Sequence, residues 1–499
     1  LFCEFDEKVL DFSSLVYDAW KDTLQDNTFD IDDNFFDLGG SSLQAIAIIS
    51  KLSERFEVDI PQFFANPTIR NIAANLKEDA NIMLRKFEQT FAFKQLKEIN
   101  ETEKREYQKK YAKVNNVKKE DDKYKDVLLL GATGFLGIYL LHQLLLESVA
   151  TITLLIRADS MRQAQNRIKK HYEYYFGNGS YDQYSHRIKI IIGDLTLDMF
   201  GLTENEYKEL ANHIEAIINS AALVKHMGKN SEFELINVKI VENIVDFAKN
   251  GINKDIHHMS TIGIVYGANM EKSKTIFTEY DESTLDGLEN QYLRSKVKAE
   301  KVLKNAKNQG VQSSIYRMSG ILFDSKTGKY QINVNESSAY IYYRNLYRLR
   351  IVPSEIQRKM DISCVDKISE AVVKLILSDD SSNDVYHVIN PNGLTIKEIL
   401  NCFKDCENNK DIIMKELSVE EIYNYYKKTD TKEQELFKQL VFECEIVNDI
   451  GKCDLNIGVD RTIFILEQLG FKWEKVGREE IIRAYHAIRE SKKSGKKQY

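Results

Sequence analysis

The sequence contains no long apolar run. Its best candidate, residues 140–156, is interrupted by His142, Gln143 and Glu147. A membrane-spanning helix needs about 20 consecutive apolar residues, so we expect no such helix and no membrane partner. The chain also begins with Leu1 rather than Met, and no basic leader precedes an apolar segment. We therefore expect it to be a piece of a longer polypeptide.

Cysteine is scarce as well. The six cysteines form no Cys-x-x-Cys pair and no Cys/His cluster with the spacing of zinc ligands. We therefore expect neither a disulfide scaffold nor a metal site. Sparse, unpaired thiols are typical of a reducing compartment, so we expect a cytoplasmic protein whose cysteines are reduced.

Basic residues are few in the first part of the chain. Residues 1–76 carry 14 Asp and Glu against 5 Lys and Arg, a net charge of −9, within a chain whose total is −7. An acidic surface repels nucleic acid, so we expect no nucleic-acid partner. The same charge suits docking on a basic protein surface.

Length and composition predict several globular domains. A chain of 499 residues is too long for one ordinary core, and its hydrophobic content of 43% is typical of folded protein. Residues 1–76 read as a small four-helix domain, and 391–499 as a mostly helical subdomain. Between them, 77–125 lack Pro and Gly and are rich in Lys and Glu, which predicts a charged, largely helical linker. We expect an exposed hinge at 118–125.

Seven short apolar segments alternate with helical patterns in residues 126–390. They are residues 127–130, 151–156, 188–192, 216–219, 255–259, 313–317 and 385–389. Each reads as a buried strand, and helices between consecutive strands favour parallel pairing. The pattern predicts an α/β domain of the Rossmann type, with a doubly wound parallel sheet.

Two glycines precede two serines where the second helix of the first domain is predicted to begin. The segment reads Asp33-Asn34-Phe35-Phe36-Asp37-Leu38-Gly39-Gly40-Ser41-Ser42-Leu43. The glycines permit a sharp turn and leave room for a modifying enzyme. A serine at a helix N-terminus lies where free N–H groups favour a phosphate, which makes Ser42 a candidate attachment site. In the alternative, Ser41 or Ser42 only caps the helix.

A glycine-rich segment joins the first predicted strand of the α/β domain to a helix. It reads Gly131-Ala132-Thr133-Gly134-Phe135-Leu136-Gly137. Glycines at this spacing allow a tight turn, close approach to a pyrophosphate and helix–strand packing. We expect this loop to bind a dinucleotide through Gly131, Thr133, Gly134, Phe135, Leu136 and Gly137.

An arginine ends the second predicted strand of this domain, about 20 residues after Gly137. NAD enzymes usually have Asp or Glu at this position to hold the ribose hydroxyl. Arg157 would instead pair with the 2′-phosphate of NADPH, because guanidinium matches phosphate geometry. Arg167 is a candidate second contact, and a solvent-exposed helix face is its alternative.

A tyrosine and a lysine lie one helical turn apart. Tyr292 and Lys296 occupy positions i and i+4, so the phenol and the ammonium share a helix face. A nearby cation favours phenolate, which predicts a lowered pKa for Tyr292. The phenol can donate a proton to a substrate oxygen. Ser260 and Thr261 end the preceding strand and offer a second hydroxyl.

These motifs resemble two known families. Residues 5–76 resemble the carrier (thiolation) domains of peptide synthetases, in which the serine matching Ser42 carries 4′-phosphopantetheine. Residues 126–499 resemble the terminal thioester reductase domain of nonribosomal peptide synthetases, an extended short-chain dehydrogenase. Carboxylic acid reductases and aminoadipate reductases carry similar domains. The resemblance implies a carrier domain, an NADP-binding Rossmann reductase domain over 126–390 and a substrate subdomain over 391–499.

The resemblance also implies cofactor contacts beyond the glycine loop. Asp194 and Leu195 follow the third predicted strand, where such enzymes contact adenine. Ala221 and Ala222 follow the fourth strand, where the nicotinamide half lies against the backbone.

A catalytic triad follows from the same resemblance. Related enzymes place the catalytic hydroxyl four residues before the valine matched by Val265, which selects Thr261 over Ser260. The implied triad is Thr261, Tyr292 and Lys296.

Four positions depart from the reductase pattern. Met318 and Ser319 stand where Pro-Gly is usual, Lys225 stands where Asn is usual, and Cys364 replaces Pro before Val-Asp. They put the details of the substrate channel in doubt and do not touch the triad.

The implied activity is reductive release of a peptidyl or aminoacyl thioester, with NADPH as hydride donor and an aldehyde, or after a second reduction an alcohol, as product. The implied partners are upstream synthetase modules on the same polypeptide, a phosphopantetheinyl transferase and the tethered substrate. We expect this piece of chain to be a monomer. Two other enzymatic readings are a dehydrogenase acting on a diffusible substrate and a non-redox domain that cyclises the tethered chain. A degenerate binding module is a third reading.

Overall fold

The computed structural model covers most of the chain. It describes residues 6–79, 81–114, 116–224, 230–267, 273–288, 290–334, 337–379, 384–406, 412–443 and 445–493. Within these ranges, every helix is too short or too polar to cross a lipid bilayer.

The N-terminal domain packs four helices around aromatic side chains. Its elements are α1 (Asp6–Leu24), α2 (Ser42–Leu52), β1 (Phe56–Glu57), α3 (Ile60–Ala65), α4 (Ile69–Asn75) and β2 (Lys77–Glu78). The rings of Trp20 and Phe35 are fully buried, with centroids 5.0 Å apart. Aromatic pairs of this kind contribute strongly to the cores of small domains. The predicted four-helix domain is confirmed.

The segment that follows contains two helices instead of one long one. They are α5 (Ile82–Phe91) and α6 (Glu101–Tyr111), and residues 92–100 between them are not helical. The amphipathic face of α5 is buried against the C-terminal part of the chain, where Phe87 packs on Tyr423 and Phe437. The charged linker is therefore part of the folded body.

Residues 118–125 are mostly exposed, as expected, but they do not form a hinge. The backbone N–H of Lys118 donates to Asp379 Oδ1 at 2.9 Å, and that of Glu120 donates to the carbonyl oxygen of Leu377 at 2.8 Å. The ammonium of Lys123 donates to the carbonyl oxygens of Ile376 and Ser378. Lysine-rich composition indicated the exposure correctly, but it could not show that this segment bonds to the C-terminal end of a helix.

The α/β domain is built from short strands and longer helices. Its strands are β3 (Asp126–Leu130), β4 (Thr151–Ile156), β5 (Ile188–Ile192), β6 (Ala216–Asn219), β7 (Asp255–Thr261), β8 (Ile276–Phe277), β9 (Gln312–Met318), β10 (Ile321–Leu322), β11 (Ile351–Pro353), β12 (Ser363–Cys364) and β13 (Val385–Val388). Its α-helices are α7 (Phe135–Glu147), α8 (Met161–Phe176), α9 (Ser180–Tyr184), α10 (Glu204–His213), α11 (Asn230–Phe233), α12 (Ile240–Ala248), α13 (Gln291–Lys307), α14 (Ser338–Leu349) and α15 (Val365–Ile376).

Seven of these strands form one parallel sheet. Their order is β13-β9-β7-β6-β3-β4-β5. One face is covered by α7, α8 and α15, the other by α10, α12 and α13. The strand order reverses between β3 and β6, and ligands of open α/β sheets bind in the crevice at such a point. The predicted doubly wound sheet is confirmed, with all seven predicted strands in it.

Most of the remaining elements belong to a helical lobe. They are α16 (Ile396–Cys406), β14 (Lys415–Leu417), α17 (Val419–Tyr426), α18 (Thr431–Lys438), α19 (Glu445–Lys452), β15 (Asn456–Ile457), α20 (Asp460–Gln468) and α21 (Arg478–Lys493). Outside the lobe are β15, which pairs with β8, and α20, which packs on α15 and the sheet. The core of this lobe also takes residues from α5 and from the stretch 322–364. The lobe is thus assembled from three stretches of chain, whereas the sequence indicated only the last one.

Candidate active site

The glycine loop leaves β3 with no room for side chains at two positions. Gly131 has φ of +81°, and a Cβ on it would lie 2.6 Å from the backbone nitrogen of Ala221. A Cβ on Gly137 would lie 2.1 Å from the carbonyl oxygen of Gly131. Only glycine fits at these positions, so the loop can wrap tightly between β3 and β6. Thr133, Phe135 and Leu136 are half-buried around it.

The N-terminus of α7 is suited to bind an anion. Its N-cap residue is Gly134, which has no side chain to satisfy the first N–H groups. By contrast, Ser41, Ser160 and Thr203 cap α2, α8 and α10. Uncapped N–H groups at a helix N-terminus are the usual partners of a dinucleotide pyrophosphate, and the loop fits that group.

Two guanidinium groups lie near the end of β4. Arg157 is 82% exposed, and its Nη1 lies 3.8 Å from Asp194 Oδ2. Partial burial lowers the pKa of Arg167, and the nearby charge of Arg157 adds to the effect. Two like charges that approach each other form a place where a phosphate would be stabilised.

The side chain of Asp194 accepts hydrogen bonds within its own turn. Its Oδ1 accepts from the N–H and the hydroxyl of Thr196, at 2.9 and 2.7 Å. Burial acts to raise the pKa of Asp194, but these hydrogen bonds and the charge of Arg157 lower it below its usual value. Leu195 beside it is buried. The adenine site expected here would therefore be bordered by a turn that these hydrogen bonds hold in place.

The loop after β6 is also held in place by a hydrogen bond to a buried side chain. Asn219 is buried, and its Oδ1 accepts from the N–H of Ala221 at 3.1 Å. Ala221 and Ala222 are half-buried. Their small side chains leave the backbone accessible next to the glycine loop.

Thr261 and Ser260, at the end of β7, bond to different residues of α13. The Oγ1 of Thr261 accepts from the N–H of Gly263 at 3.1 Å, and its side chain is hydrogen-bonded to Tyr292 near the start of the helix. The hydroxyl of Ser260 instead donates to Glu300 Oε1 at 2.6 Å in a buried position, two turns further along α13.

Burial governs the titration of both Tyr292 and Lys296. It raises the pKa of Tyr292 to about 12, against the opposing hydrogen bond with Thr261. It lowers the pKa of Lys296 to about 8, against the opposing charge of Glu300. Lys296 Nζ lies 6.0 Å from the Tyr292 ring centroid and donates to the carbonyl oxygen of Met259 at 2.9 Å. The lowered pKa expected for Tyr292 is therefore wrong for this arrangement, because burial outweighs the distant cation.

Two polar networks hold α13, and the sequence did not reveal them. Asn237, in a π-helical turn, accepts from Leu223 N–H at 2.8 Å and donates to Ser295 Oγ at 2.9 Å. On another face of α13, Glu300 pairs with Arg317 of β9 at 2.8 Å, and both are buried. Arg317 and Glu300 lie 17 positions apart, so no local pattern marked them as a pair.

The candidate attachment serine begins α2. Ser41 is the N-cap, with its Oγ accepting from Gln44 N–H at 3.3 Å, and Ser42 is the first helical residue. The side chain of Ser42 lies outside the described residues. A Cβ on Gly40 would lie 2.4 Å from the ring of Phe35. The glycine thus brings the helix start close against the aromatic core, and the capping role falls to Ser41.

The departures from the reductase pattern lie near the ends of β9 and β12. Ser319 donates to Ser363 Oγ at 3.0 Å, and both side chains are hydrogen-bonded to Asp361. Cys364 is buried as the N-cap residue of α15. Lys225 lies outside the described residues.

Comparisons with known proteins agree with this geometry. Residues 14–76 match the family described as Phosphopantetheine attachment site, and residues 129–372 match the family described as Male sterility protein, which has an NAD-binding fold. The chain is therefore a di-domain that joins a carrier domain to an NAD-binding domain. Its cofactors are phosphopantetheine on the carrier and a nicotinamide dinucleotide on the NAD-binding domain. The carrier implies a tethered substrate and a phosphopantetheinyl transferase.

Relatives of the di-domain are much longer proteins. It is 28% identical over 391 residues to a linear gramicidin synthase of Brevibacillus parabrevis, covering 77% of this chain and 7% of that protein. It is 26% identical over 396 residues to L-2-aminoadipate reductase of Saccharomyces cerevisiae, covering 74% of this chain and 28% of the other. The di-domain thus spans less than a third of the length of either relative.

A solved structure shares the fold of the whole di-domain. A thiolation-reductase di-domain from an archaeal non-ribosomal peptide synthetase superposes with a TM-score of 0.78 at 23% identity, covering 97% of this chain and 98% of that one. The likeness therefore includes the carrier as well as the reductase.

Proposed function

We propose that the di-domain releases an acyl or peptidyl group from its own carrier by NADPH-dependent reduction of the thioester to an aldehyde. The pairing of Thr261 with Tyr292 at the end of β7 carries this proposal, and in the sheet only β6 separates β7 from β3, where the glycine loop begins. The carrier domain on the same chain indicates that the substrate is a carrier-bound thioester, because a diffusible substrate needs no tether.

The position of the carrier supports delivery in cis. Its α3 packs against α11 of the reductase, and α2 packs against residues 439–443. Glu54 of the carrier pairs with Lys438 of the helical lobe at 2.6 Å. An acidic domain thus meets a basic residue of the lobe, as the charge of the first 76 residues predicts. Tethering raises the effective substrate concentration to the millimolar range.

The side chains at the end of β7 supply the proton chemistry. Tyr292 and Thr261 hydrogen-bond the carbonyl oxygen of the thioester, and Tyr292 donates its proton as negative charge develops there. The nicotinamide, when bound, supplies the hydride to the carbonyl carbon. The resulting hemithioacetal collapses with cleavage of the C–S bond, which gives the aldehyde and the free pantetheine thiol. A second reduction would give the alcohol.

Lys296 has a positioning role in this scheme. Its ammonium donates to the carbonyl oxygen of Met259 on β7 at 2.9 Å and would contact the ribose of a bound nucleotide. A bound ribose would place this charge between the cofactor and Tyr292. Arg157, with Arg167, would bind the 2′-phosphate and favour NADPH over NADH.

The broader setting follows from the relatives. The proposal includes upstream synthetase modules on the same polypeptide and a cytoplasmic, monomeric di-domain. A dehydrogenase with a diffusible substrate is disfavoured by the carrier domain. A non-redox cyclising domain is disfavoured by the intact Tyr292 and Lys296.

One assay separates these functions. The carrier is loaded with an acyl group by a phosphopantetheinyl transferase and acyl-coenzyme A, and NADPH oxidation is followed together with product mass. Stoichiometric NADPH oxidation and an aldehyde product are expected. Release of a cyclic product without NADPH oxidation, or no release at all, would refute the proposal.

A further inference from the structure

The helix that carries Tyr292 and Lys296 also carries a buried carboxylate. Glu300 lies one turn of α13 beyond Lys296 and two turns beyond Tyr292, and its side chain is buried. Residues four positions apart on a helix are neighbours on its surface. In order along the helix, the ammonium of Lys296 therefore stands between the phenol and the carboxylate.

Lys296 and Glu300 bond to adjacent residues of β7. Lys296 Nζ donates to the carbonyl oxygen of Met259 at 2.9 Å, and the hydroxyl of Ser260 donates to Glu300 Oε1 at 2.6 Å. Since Met259 and Ser260 are consecutive, both charged groups are held against one short stretch of the strand, which leads directly into Thr261. The two side chains thus fix α13 to the end of β7.

The guanidinium of Arg317, on β9, holds this carboxylate in one orientation. Its Nη2 donates to Glu300 Oε2 at 2.8 Å, and its Nε lies 3.2 and 3.3 Å from the two carboxylate oxygens. A forked contact between buried partners fixes a carboxylate strongly. Arg317 Nη1 donates to the carbonyl oxygen of Asp281 at 3.0 Å and lies 3.3 Å from Nε2 of His387, whose pKa burial lowers well below its usual value. The negative charge of Glu300 is therefore kept in place beside Lys296.

The other ionisable side chains that the structure describes around Lys296 are neutral, paired or exposed. His258 on β7 is fully buried, and burial together with the charge of Lys296 lowers its pKa well below the usual value. Tyr292 is neutral, because burial raises its pKa to about 12. Burial lowers the pKa of Lys296 itself to about 8, and the charge of Glu300 opposes that effect. Further charged side chains on α13 and on the segments packed against it are the pairs Glu234–Lys298, Lys239–Glu242, Asp246–Lys249 and Glu282–Lys304, the exposed Glu232 and Lys301, and Arg294, which donates to the carbonyl oxygens of Leu285 and Leu288.

We propose that Glu300 is a positioning residue for the reduction, whose carboxylate stabilises the ammonium form of Lys296 and whose contacts hold α13 against β7. Burial favours the neutral amine of a lysine, so an ammonium in this place needs a negative partner. Arg317 keeps that partner in position, and its own positive charge limits the effect. The proposal rests on the proposed function, in which Lys296 contacts the ribose of the bound nucleotide.

Two single variants separate an effect of charge from an effect on structure. Glu300→Gln keeps the size of the side chain and an acceptor for Ser260 but removes the negative charge. Arg317→Met removes the positive charge and leaves the carboxylate. Each variant leaves one buried charge without its partner, so both should lower the melting temperature. Their effects on the protonation of Lys296 should have opposite signs.

The dissociation constant of NADPH is measured from the fluorescence of the bound nicotinamide, at pH values up to the ordinary lysine pKa of 10.5. In wild type, binding should weaken as pH rises through about 8, because the ammonium is lost. In Glu300→Gln this weakening should begin about one pH unit or more lower, which is the Coulomb effect of one nearby charge inside a protein. In Arg317→Met it should begin at higher pH.

Ser260→Ala is the matched control, since it removes a hydrogen bond to Glu300 and leaves every charge in place. It should lower the melting temperature and keep the wild-type pH dependence. If a single variant does not fold, the double variant Glu300→Gln with Arg317→Gln replaces the ion pair by neutral groups, an exchange that buried pairs often tolerate. Because the charge of Glu300 raises the pKa of Lys296, the double variant should also lose NADPH at lower pH than wild type.

Unfolding experiments without cofactor test the same link independently of the proposed function. Lys296 has a pKa of about 8 in the folded chain and an ordinary value of 10.5, so the free energy of unfolding of wild type should rise across that window. This rise should begin at lower pH in Glu300→Gln and at higher pH in Arg317→Met.

Two results would overturn the proposal: a pH dependence of NADPH binding that is the same in all variants, or unfolding profiles that shift in the same direction in both single variants. A purely structural role of Glu300 predicts either of them. If the unfolding profiles shift in opposite directions and a carrier-bound thioester is not reduced, the proposed function fails and the link between Glu300 and Lys296 stands.

Discussion

The hydroxyl of Ser260 donates to the Glu300 carboxylate at 2.6 Å, two turns of α13 beyond Tyr292. Glu300 in turn pairs with the buried guanidinium of Arg317. Neighbouring residues Ser260 and Thr261 therefore serve different purposes: Ser260 fixes α13 to the sheet, and Thr261 meets the phenol.

Tyr292→Phe should lower the single-turnover rate of thioester reduction by about 10²–10⁴-fold, the usual contribution of a positioned proton donor. Thr261→Val should cost less, because the phenol remains. Both should keep cofactor affinity and melting temperature. Ser260→Ala is the matched control: it should lower the free energy of unfolding by about 1–3 kcal/mol, the cost of a buried hydrogen bond to a charged group. A Tyr292→Phe rate near that of wild type would rule out the phenol as the acid.

Ser42→Ala should abolish phosphopantetheinylation and turnover of carrier-bound substrate while leaving NADPH binding intact. Ser41→Ala should keep the modification, since Ser41 caps α2 through Gln44. Loss of this cap should lower carrier stability by about 1 kcal/mol. Intact-mass analysis after treatment with a transferase distinguishes the two serines. A mass gain on the Ser42→Ala protein would show that another residue is modified.

Arg157→Ala should lose most of the preference for NADPH over NADH. A charge-assisted contact to the 2′-phosphate contributes about 1.5–3 kcal/mol, or roughly 10–150-fold in the ratio of kcat/KM values. Arg105→Ala, an exposed arginine on α6, should leave that ratio unchanged. Wild-type protein that uses both cofactors equally would contradict the assignment of Arg157.

The pH profile should report Lys296. Its pKa of about 8 in the folded protein means that the ammonium is lost as pH rises through 8, so kcat/KM for NADPH should fall there. The fall in kcat should come at higher pH, because bound phosphates favour the charged form. Tyr292, with a pKa of about 12, stays protonated throughout. Lys301 is exposed on the same helix, and Lys301→Ala should keep both the fall in kcat/KM and the fall in kcat. A pH profile of wild type that stays flat to pH 10 would exclude Lys296 as the titrating group.

The same shift affects stability. The ordinary pKa of lysine is 10.5, so between about pH 8 and 10.5 the unfolded chain binds a proton at Lys296 that the folded chain has released. Below pH 8 the buried charge of Lys296 therefore lowers the free energy of unfolding by its full amount. This loss becomes smaller as pH rises from about 8 to 10.5. Lys296→Met should raise the melting temperature at pH 7 and flatten its dependence on pH. An unchanged profile in denaturation experiments would contradict this.

Local patterns in the sequence were sufficient for the sheet. The strands from β3 to β13 that build it are short, apolar and separated by helices, so each could be recognised alone, and the glycines of the β3–α7 loop specify their own backbone.

Contacts between distant segments could not be predicted from the sequence. The Glu300–Arg317 pair, the clamp from Asn237 to Ser295 and the mixed origin of the helical lobe depend on how remote stretches pack. The predicted direction of the Tyr292 pKa shift was wrong for a related reason. The spacing reveals a nearby lysine, but it does not reveal the burial that outweighs the charge of that lysine. Composition likewise predicted a charged linker helix where α5 is a core helix of the lobe.

That buried helix changes what the carrier can do. The carrier ends with β2, whose last residue is Glu78, and α5 begins at Ile82 with side chains fixed in the lobe. From there on, Lys94 and Lys97 bond to the backbone of Gly451 and Asp454. The stretch between the two domains therefore provides almost no slack. On so short a connection the carrier could move only by rotating about the junction of β2 and α5, so an enzyme that loads the predicted attachment serine would have to approach it within that range.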